Sequence, residues 1–89
     1  MTRSRIAAAL LAGLLTSTVW ASPTCTEAPK SQWQPAEKFQ AQLKAQGYQI
    51  RKFKEEKSCY EIYGKDKDGH RVEIYFDPVT GKAIKTEKD

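Results

Sequence analysis

Two glutamates, Glu61 and Glu73, are the first side chains here whose types could do chemistry together. A pair of carboxyls can cleave a glycosidic bond when one is desolvated enough to keep its proton while the other stays ionised. Tyr63 and Tyr75 follow them at a spacing of two, and on a strand that spacing keeps each tyrosine on the face of its glutamate. On an open sheet face beside Lys65 and Arg71, nothing is expected to desolvate either acid. The pair therefore reads as surface charge and not as an acid–base couple. His70 is the single histidine and lies beside a turn with no serine, cysteine or acid implied as its partner, which makes it a poor base or ligand. Asp66-Lys67-Asp68-Gly69 has the look of half a calcium loop, but Gly64 and Tyr75 stand where carboxylate ligands are needed. A turn is the better reading, and neither a metal nor a cofactor is expected.

Residues 1–21 have the make-up of a secretory leader. Arg3 and Arg5 form a basic start, residues 6–15 are apolar, and Val19 and Ala21 supply small residues before a cut between Ala21 and Ser22. The apolar run is about ten residues, half of the ~20 that span a bilayer as a helix, so no anchor is expected after cleavage. Taking 21 residues from 89 leaves 68, and the loss of Arg3 and Arg5 leaves 13 basic side chains against 11 acidic ones. The net charge falls from +4 to +2, so the basic balance is partly a property of the leader. A chain of this length builds one domain with a small core. In the oxidising periplasm Cys25 and Cys59 have one possible pairing, and without a Cys-x-x-Cys or a histidine cluster they are expected to form a structural disulfide.

Residues 22–32 contain Pro23, Pro29 and several hydroxyls and read as an extended arm held by that disulfide. Pro35 suits the first turn of a helix, Phe39 and Leu43 lie one turn apart on one face, and Gly47 suits its C′ position. Trp33 is expected to fold back near Phe39 as a hydrophobic staple. Residues 48–55 read as a first strand in which Ile50 and Phe53 break the alternation, predicting a bulge or an irregular edge. Residues 60–64 and 71–76 are aromatic and β-branched, and they flank Asp66-Lys67-Asp68-Gly69-His70, which suits a type I turn closed by a left-handed glycine.

That turn sets a register: Ile62 faces Ile74, Tyr60 faces Phe76 and Tyr63 faces Glu73. One face then carries Tyr60, Ile62, Val72, Ile74 and Phe76 for the helix, and the other carries Cys59, Glu61, Tyr63, Lys65, Arg71, Glu73 and Tyr75. After the turn at Asp77-Pro78, residues 82–86 are predicted to form a short last strand with Ile84 inward, and residues 87–89 to fray. The fold class is α+β: an N-terminal helix packed on one face of a three- to four-stranded antiparallel β-meander, with one disulfide and a wet opposite face.

Trp33, the helix ending at Gly47-Tyr48, the pair Tyr60-Glu61, the turn Asp68-Gly69, and Phe76-Asp77-Pro78 with Thr80-Gly81 resemble a PepSY domain, covering residues 33–89. Such domains occur in the propeptides of thermolysin-like metallopeptidases and as small secreted bacterial proteins. The resemblance implies a non-catalytic binding or regulatory module, one that modulates or inhibits an envelope peptidase; the leader places it in the periplasm, and a monomer is expected. Its contact surface would be the open face, with Tyr63, Tyr75, Glu61, Glu73 and Arg71, because exposed tyrosines combine contact area with a hydrogen bond, or the edge of the exposed first strand.

The alternative is a periplasmic protein that binds an anionic envelope polymer or ligand through Arg51, Lys52, Lys54 and Lys57, the one dense basic patch. Nucleic acid is not expected in that compartment, and Glu55 and Glu56 interrupt the basic run. The plain structural reading of these cations is an edge strand kept from pairing by lysines.

Overall fold

A helix begins where Pro35 holds φ at −57° and is closed where Gly47 adopts φ 103°, so that α1 spans Ala36–Ala45. Gly47 donates to the Lys44 carbonyl at 3.0 Å and Tyr48 to the Leu43 carbonyl at 3.1 Å. These two bonds make the paired Schellman closure, which satisfies carbonyls that the helix end would leave orphaned. The structure is a computed structural model that describes residues 22–89; the leader expected over residues 1–21 lies outside the described residues. Among the described residues no helix is long and apolar enough to cross a membrane.

Four strands follow: β1 (Gln49–Glu56), β2 (Cys59–Lys65), β3 (Arg71–Phe76) and β4 (Ala83–Lys88), in the order β1-β2-β3-β4 with every pair antiparallel. The fold is the expected α+β meander. Between β2 and β3, Tyr60 pairs with Phe76, Ile62 with Ile74 and Tyr63 with Glu73, the register read from the sequence. Gly69 at φ 86° donates to the Asp66 carbonyl, and the Asp66 Oδ1 accepts the N–H groups of Asp68 and His70, each at 2.9 Å. The later turn uses the same device: Asp77 Oδ1 accepts the Val79 N–H at 2.8 Å, and Gly81, at φ 81°, donates to the Asp77 carbonyl.

Phe39 and Leu43 pack on the inner sheet face against Tyr60, Ile62, Val72, Ile74 and Phe76, all of them buried. The Phe39 ring lies 5.0 Å from that of Tyr60 and 5.3 Å from that of Phe76. Each such side chain contributes about 1.5–3 kcal/mol by leaving water, which is why five inward positions on two strands suffice to seat one helix. The expected irregularity of β1 is a register shift between Ile50 and Lys52. Gly64 makes it possible, since a Cβ there would sit 1.8 Å from the Gln49 carbonyl oxygen.

Three expectations change. Trp33 meets Tyr60 edge-on at 5.3 Å and not the ring of Phe39, because the Tyr60 hydroxyl donates to the Gln34 carbonyl at 2.6 Å and draws the entry to the helix over itself. Ile84 does not turn inward and is 41 % exposed, for Tyr75 pairs with Lys85 and Phe76 with Ala83, which strands Ile84 in a bulge. Residues 87–89 are not frayed: β4 runs to Lys88, the Asp89 N–H bonds the Arg71 carbonyl at 3.1 Å, and the Asp89 carboxylate pairs with the Arg71 guanidinium at 3.3 Å.

The disulfide Cys25–Cys59 is formed, and Cys59 is fully buried. Cys59 and Tyr60 are consecutive in β2, so their side chains point to opposite faces. The arm therefore starts on the outer face at Cys25 and reaches the inner face at Trp33, passing round the β1–β2 turn. Cys25 N–H donates to Ser58 Oγ at 2.9 Å, and a single 3₁₀ turn at Lys30–Gln32 precedes Trp33, whose indole donates to the Ala28 carbonyl.

Candidate functional site

Antiparallel pairing lines up the outer face in rows that cross all four strands. Lys54 faces Glu61, Glu61 faces Tyr75, and Tyr75 faces Lys85. In the next row Lys52 faces Tyr63, Tyr63 faces Glu73, and Glu73 faces Glu87. The two central columns thus hold a checkerboard of two carboxyls and two phenols, with Glu61 and Glu73 on one diagonal and Tyr63 and Tyr75 on the other.

The sequence expects both acids to be solvated, and here the structure corrects it: Glu61 is 1 % exposed. It is enclosed by Cys59 and Tyr63 along its own strand and by Lys54 and Tyr75 across it, a set of neighbours that only the pairing of three strands brings together. The Lys54 ammonium is shared between Glu56 at 3.7 Å and Glu61 Oε1 at 4.0 Å, the outer limit of an ion pair, and Glu61 Oε2 is buried without a hydrogen-bond partner among the described residues. The nearby Glu73 carboxyl can bond it only if a proton lies between the two. Burial first, then the contact with Glu73, pushes the Glu61 carboxyl above the usual glutamate range. The contact with Glu61 comes first in holding Glu73 below that range, aided by Tyr63, Tyr75 and Lys85. Glu73 is therefore the more acidic of the two, and Tyr75 donates to its Oε2 at 3.2 Å.

Both phenols stay protonated under ordinary conditions. Bonding to Glu61 raises Tyr63 strongly, and burial with the charges of Glu61 and Glu73 raises Tyr75 to about 12. A carboxyl pair with split proton affinities has the electronic form of an acid–base couple. Glu61 is nevertheless covered, and a group without a path to a substrate cannot transfer its proton to one.

The four cations of the basic patch are divided by the fold. Lys57 occupies the two-residue β1–β2 turn at φ 56°, and Lys54 is engaged with Glu56 and Glu61. Lys52 lies 5.7 Å from the centre of the Tyr63 ring, and Arg51 sits exposed in the register shift without an ion pair among the described residues. Arg51 and Lys52 then join Tyr63, Arg71 and Glu73 in lining a groove of about 710 Å³ across the outer face. Two further acids line it, Glu87 and Asp89, which the sequence reading assigned to a frayed tail. The signal that could have found them is the parity of Lys85, Glu87 and Asp89, which share a face once the strand ends two residues later than predicted.

Outside the groove, the ligand atoms of Asp66, Asp68 and His70 lie within 4.8 Å of one another. Asp66 is already committed to two backbone N–H groups and stands 3.8 Å from the Lys88 ammonium, so these contacts are those of a capped turn.

A family model described as peptidase propeptide and YPEB domain matches residues 5–87. No curated protein and no solved structure matches the chain.

Proposed function

Because the chain belongs to the family of peptidase propeptide and YPEB domains, the PepSY modules, we propose that it acts after export as a stand-alone regulator that restrains a peptidase of the cell envelope in trans. Modules of this type are non-catalytic parts of propeptides and inhibitors, so the chemistry belongs to the partner and recognition to this chain. The observation that carries the reading is the outer groove, where two sets of residues named separately from the sequence stand side by side: Tyr63, Arg71 and Glu73 with Arg51 and Lys52. Tyrosine and arginine around a depression are the side chains that dominate contact energies in protein interfaces. Glu61 drops out of the contact set because it is buried, and its part is to hold Glu73 ionised.

The competing ligand, an anionic polymer, is disfavoured by the three acids that line the same groove and by the engagement of Lys54 with Glu56 and Glu61. The test is inhibition. The oxidised protein is titrated against peptidases purified from the exported fraction of its host, beside a Tyr63→Ser/Tyr75→Ser variant. The expected outcome is one peptidase slowed by the parent and at least tenfold less by the variant. Equal inhibition by both, or none by either, overturns the reading.

A further inference from the structure

The groove row Lys52, Tyr63, Glu73, Glu87 has a feature that stabilisation of the fold does not explain. Glu73 and Glu87 are direct cross-strand partners, and like charges directly opposite are destabilising. At the other end of the row Arg51 and Lys52 are consecutive cations on an edge strand, and neither forms an ion pair with a described residue. Lys85 reaches Glu87 at 3.3 Å and also acts on Glu73, and Arg71 reaches Asp89 at 3.3 Å, so two cations meet three carboxylates and the acidic end keeps its sign. The groove is thus polarised along its length, positive over β1 and negative over β3 and β4, with the Tyr63 ring between.

Resting on the reading above, in which the partner is a protein, we infer that the groove takes an extended, dipolar peptide segment laid across the strands. A carboxylate of the segment sits over Arg51 and Lys52 and an ammonium or guanidinium over Glu73 and Glu87. The separation follows from sheet geometry. Three strand spacings of about 4.8 Å put the two ends about 14 Å apart, and an extended chain rising about 3.4 Å per residue covers that in four residues. Residues i, i+2 and i+4 of such a chain point the same way, so the recognised pattern is acid, x, aromatic or apolar, x, base. The middle residue lies over Tyr63. An all-acidic polymer would meet Glu73, Glu87 and Asp89, and an all-basic one Arg51 and Lys52, so each is repelled at one end.

Two peptides of one composition test this, acetyl-Glu-Ser-Tyr-Ser-Lys-amide and acetyl-Glu-Ser-Lys-Ser-Tyr-amide, blocked at both ends to remove terminal charge. They are titrated into the oxidised, 15N-labelled protein at low salt, with amide shifts followed at Lys52, Tyr63, Glu73 and Glu87. The first is expected to bind at least fivefold tighter than the second. An Arg51→Glu/Lys52→Glu variant should instead prefer acetyl-Lys-Ser-Tyr-Ser-Lys-amide, and Glu87→Lys should prefer acetyl-Glu-Ser-Tyr-Ser-Glu-amide. Equal affinities for the two isomers, or variants that keep the parent's preference, overturn the inference. The two readings fail separately. Inhibition of a peptidase that survives charge reversal at Arg51 and Lys52 removes the groove code and leaves the regulator, whereas the predicted peptide preference with no peptidase inhibited does the reverse.

Discussion

The two faces of one sheet are built from the same strands by the same alternation, yet they are held together by different physics. Inside, Tyr60, Ile62, Val72, Ile74 and Phe76 meet Phe39 and Leu43, and stability comes from apolar area, which is non-directional and tolerant of detail. Outside, Glu61, Tyr63, Glu73 and Tyr75 meet Lys52, Lys54, Lys85 and Glu87, and each pair depends on charge, distance and a proton. The inner face obeys every local rule of a stable sheet. The outer face breaks two, with a buried carboxyl oxygen that has no partner and a cross-strand pair of glutamates. Departures of that kind concentrate where a protein binds something.

The widest expected gap between the faces comes from truncation. Phe39→Ala removes the ring that touches Phe53, Tyr60 and Phe76 and should cost about 3–5 kcal/mol, enough to unfold a domain this small. Tyr63→Ser, half-buried on the outer face, should cost under about 1 kcal/mol. Urea unfolding of both variants measures the contrast, and equal losses would mean that the outer face is structural in the same sense as the inner one.

Next in size is the link between the faces. Cys25→Ser/Cys59→Ser opens a loop spanning a separation of 34 residues, worth about 3–4 kcal/mol in the loop-entropy model, and frees the arm that runs from outer to inner face. The Tyr60 environment should loosen with it, because Trp33 and Gln34 both contact Tyr60 at the end of that arm. Thermal unfolding with near-ultraviolet circular dichroism reports both effects. A variant that melts lower but keeps the parent's aromatic signal would show that Trp33 docks without the crosslink.

The smallest expected effect has the opposite sign and concerns Glu61. Its folded-state pKa lies above the ordinary 4.5, so its contribution to stability is complete below that value and is lost as pH rises through the raised one. Glu73 is held below 4.5, so its contribution is present above that value and is lost as pH falls through the lowered one. The pair is therefore most stabilising between the two, and neutral pH lies on the losing side for Glu61. Glu61→Gln keeps the shape and removes the charge, and it should raise stability at neutral pH by about 1–2 kcal/mol, the usual penalty of a poorly satisfied buried group. Denaturant midpoints from pH 3 to 8 should show the parent declining on the alkaline side and the variant flat there. Parallel profiles would mean that Glu61 is as solvated as the sequence suggests.

How much was legible follows from the range of the interactions. The β2–β3 register was readable because one turn fixes it: Asp66 and Gly69 set the loop, and a one-residue slip would turn Ile62, Ile74 and Phe76 into water. The helix and its end were readable from Pro35, the Phe39–Leu43 spacing and Gly47, all local signals. The last strand was misjudged at Ile84 and at residues 87–89, because a bulge and the Asp89–Arg71 bonds depend on a partner strand that local propensity does not contain.

By itself, the sequence determined the α+β meander, its inner face, the single possible disulfide and the family resemblance. Each of these is written in alternation, turn chemistry and residue count, which act over a few positions or admit one solution. Tertiary structure alone decided that Glu61 is buried and Glu73 the more acidic of the two, and that Lys54 is ion-paired while Arg51, among the described residues, is not. It also brought Arg51, Lys52, Tyr63, Glu73 and Glu87 into one polarised groove. The reason is that solvation and charge pairing depend on every neighbour across three strand interfaces at once, and two of those interfaces carry register shifts.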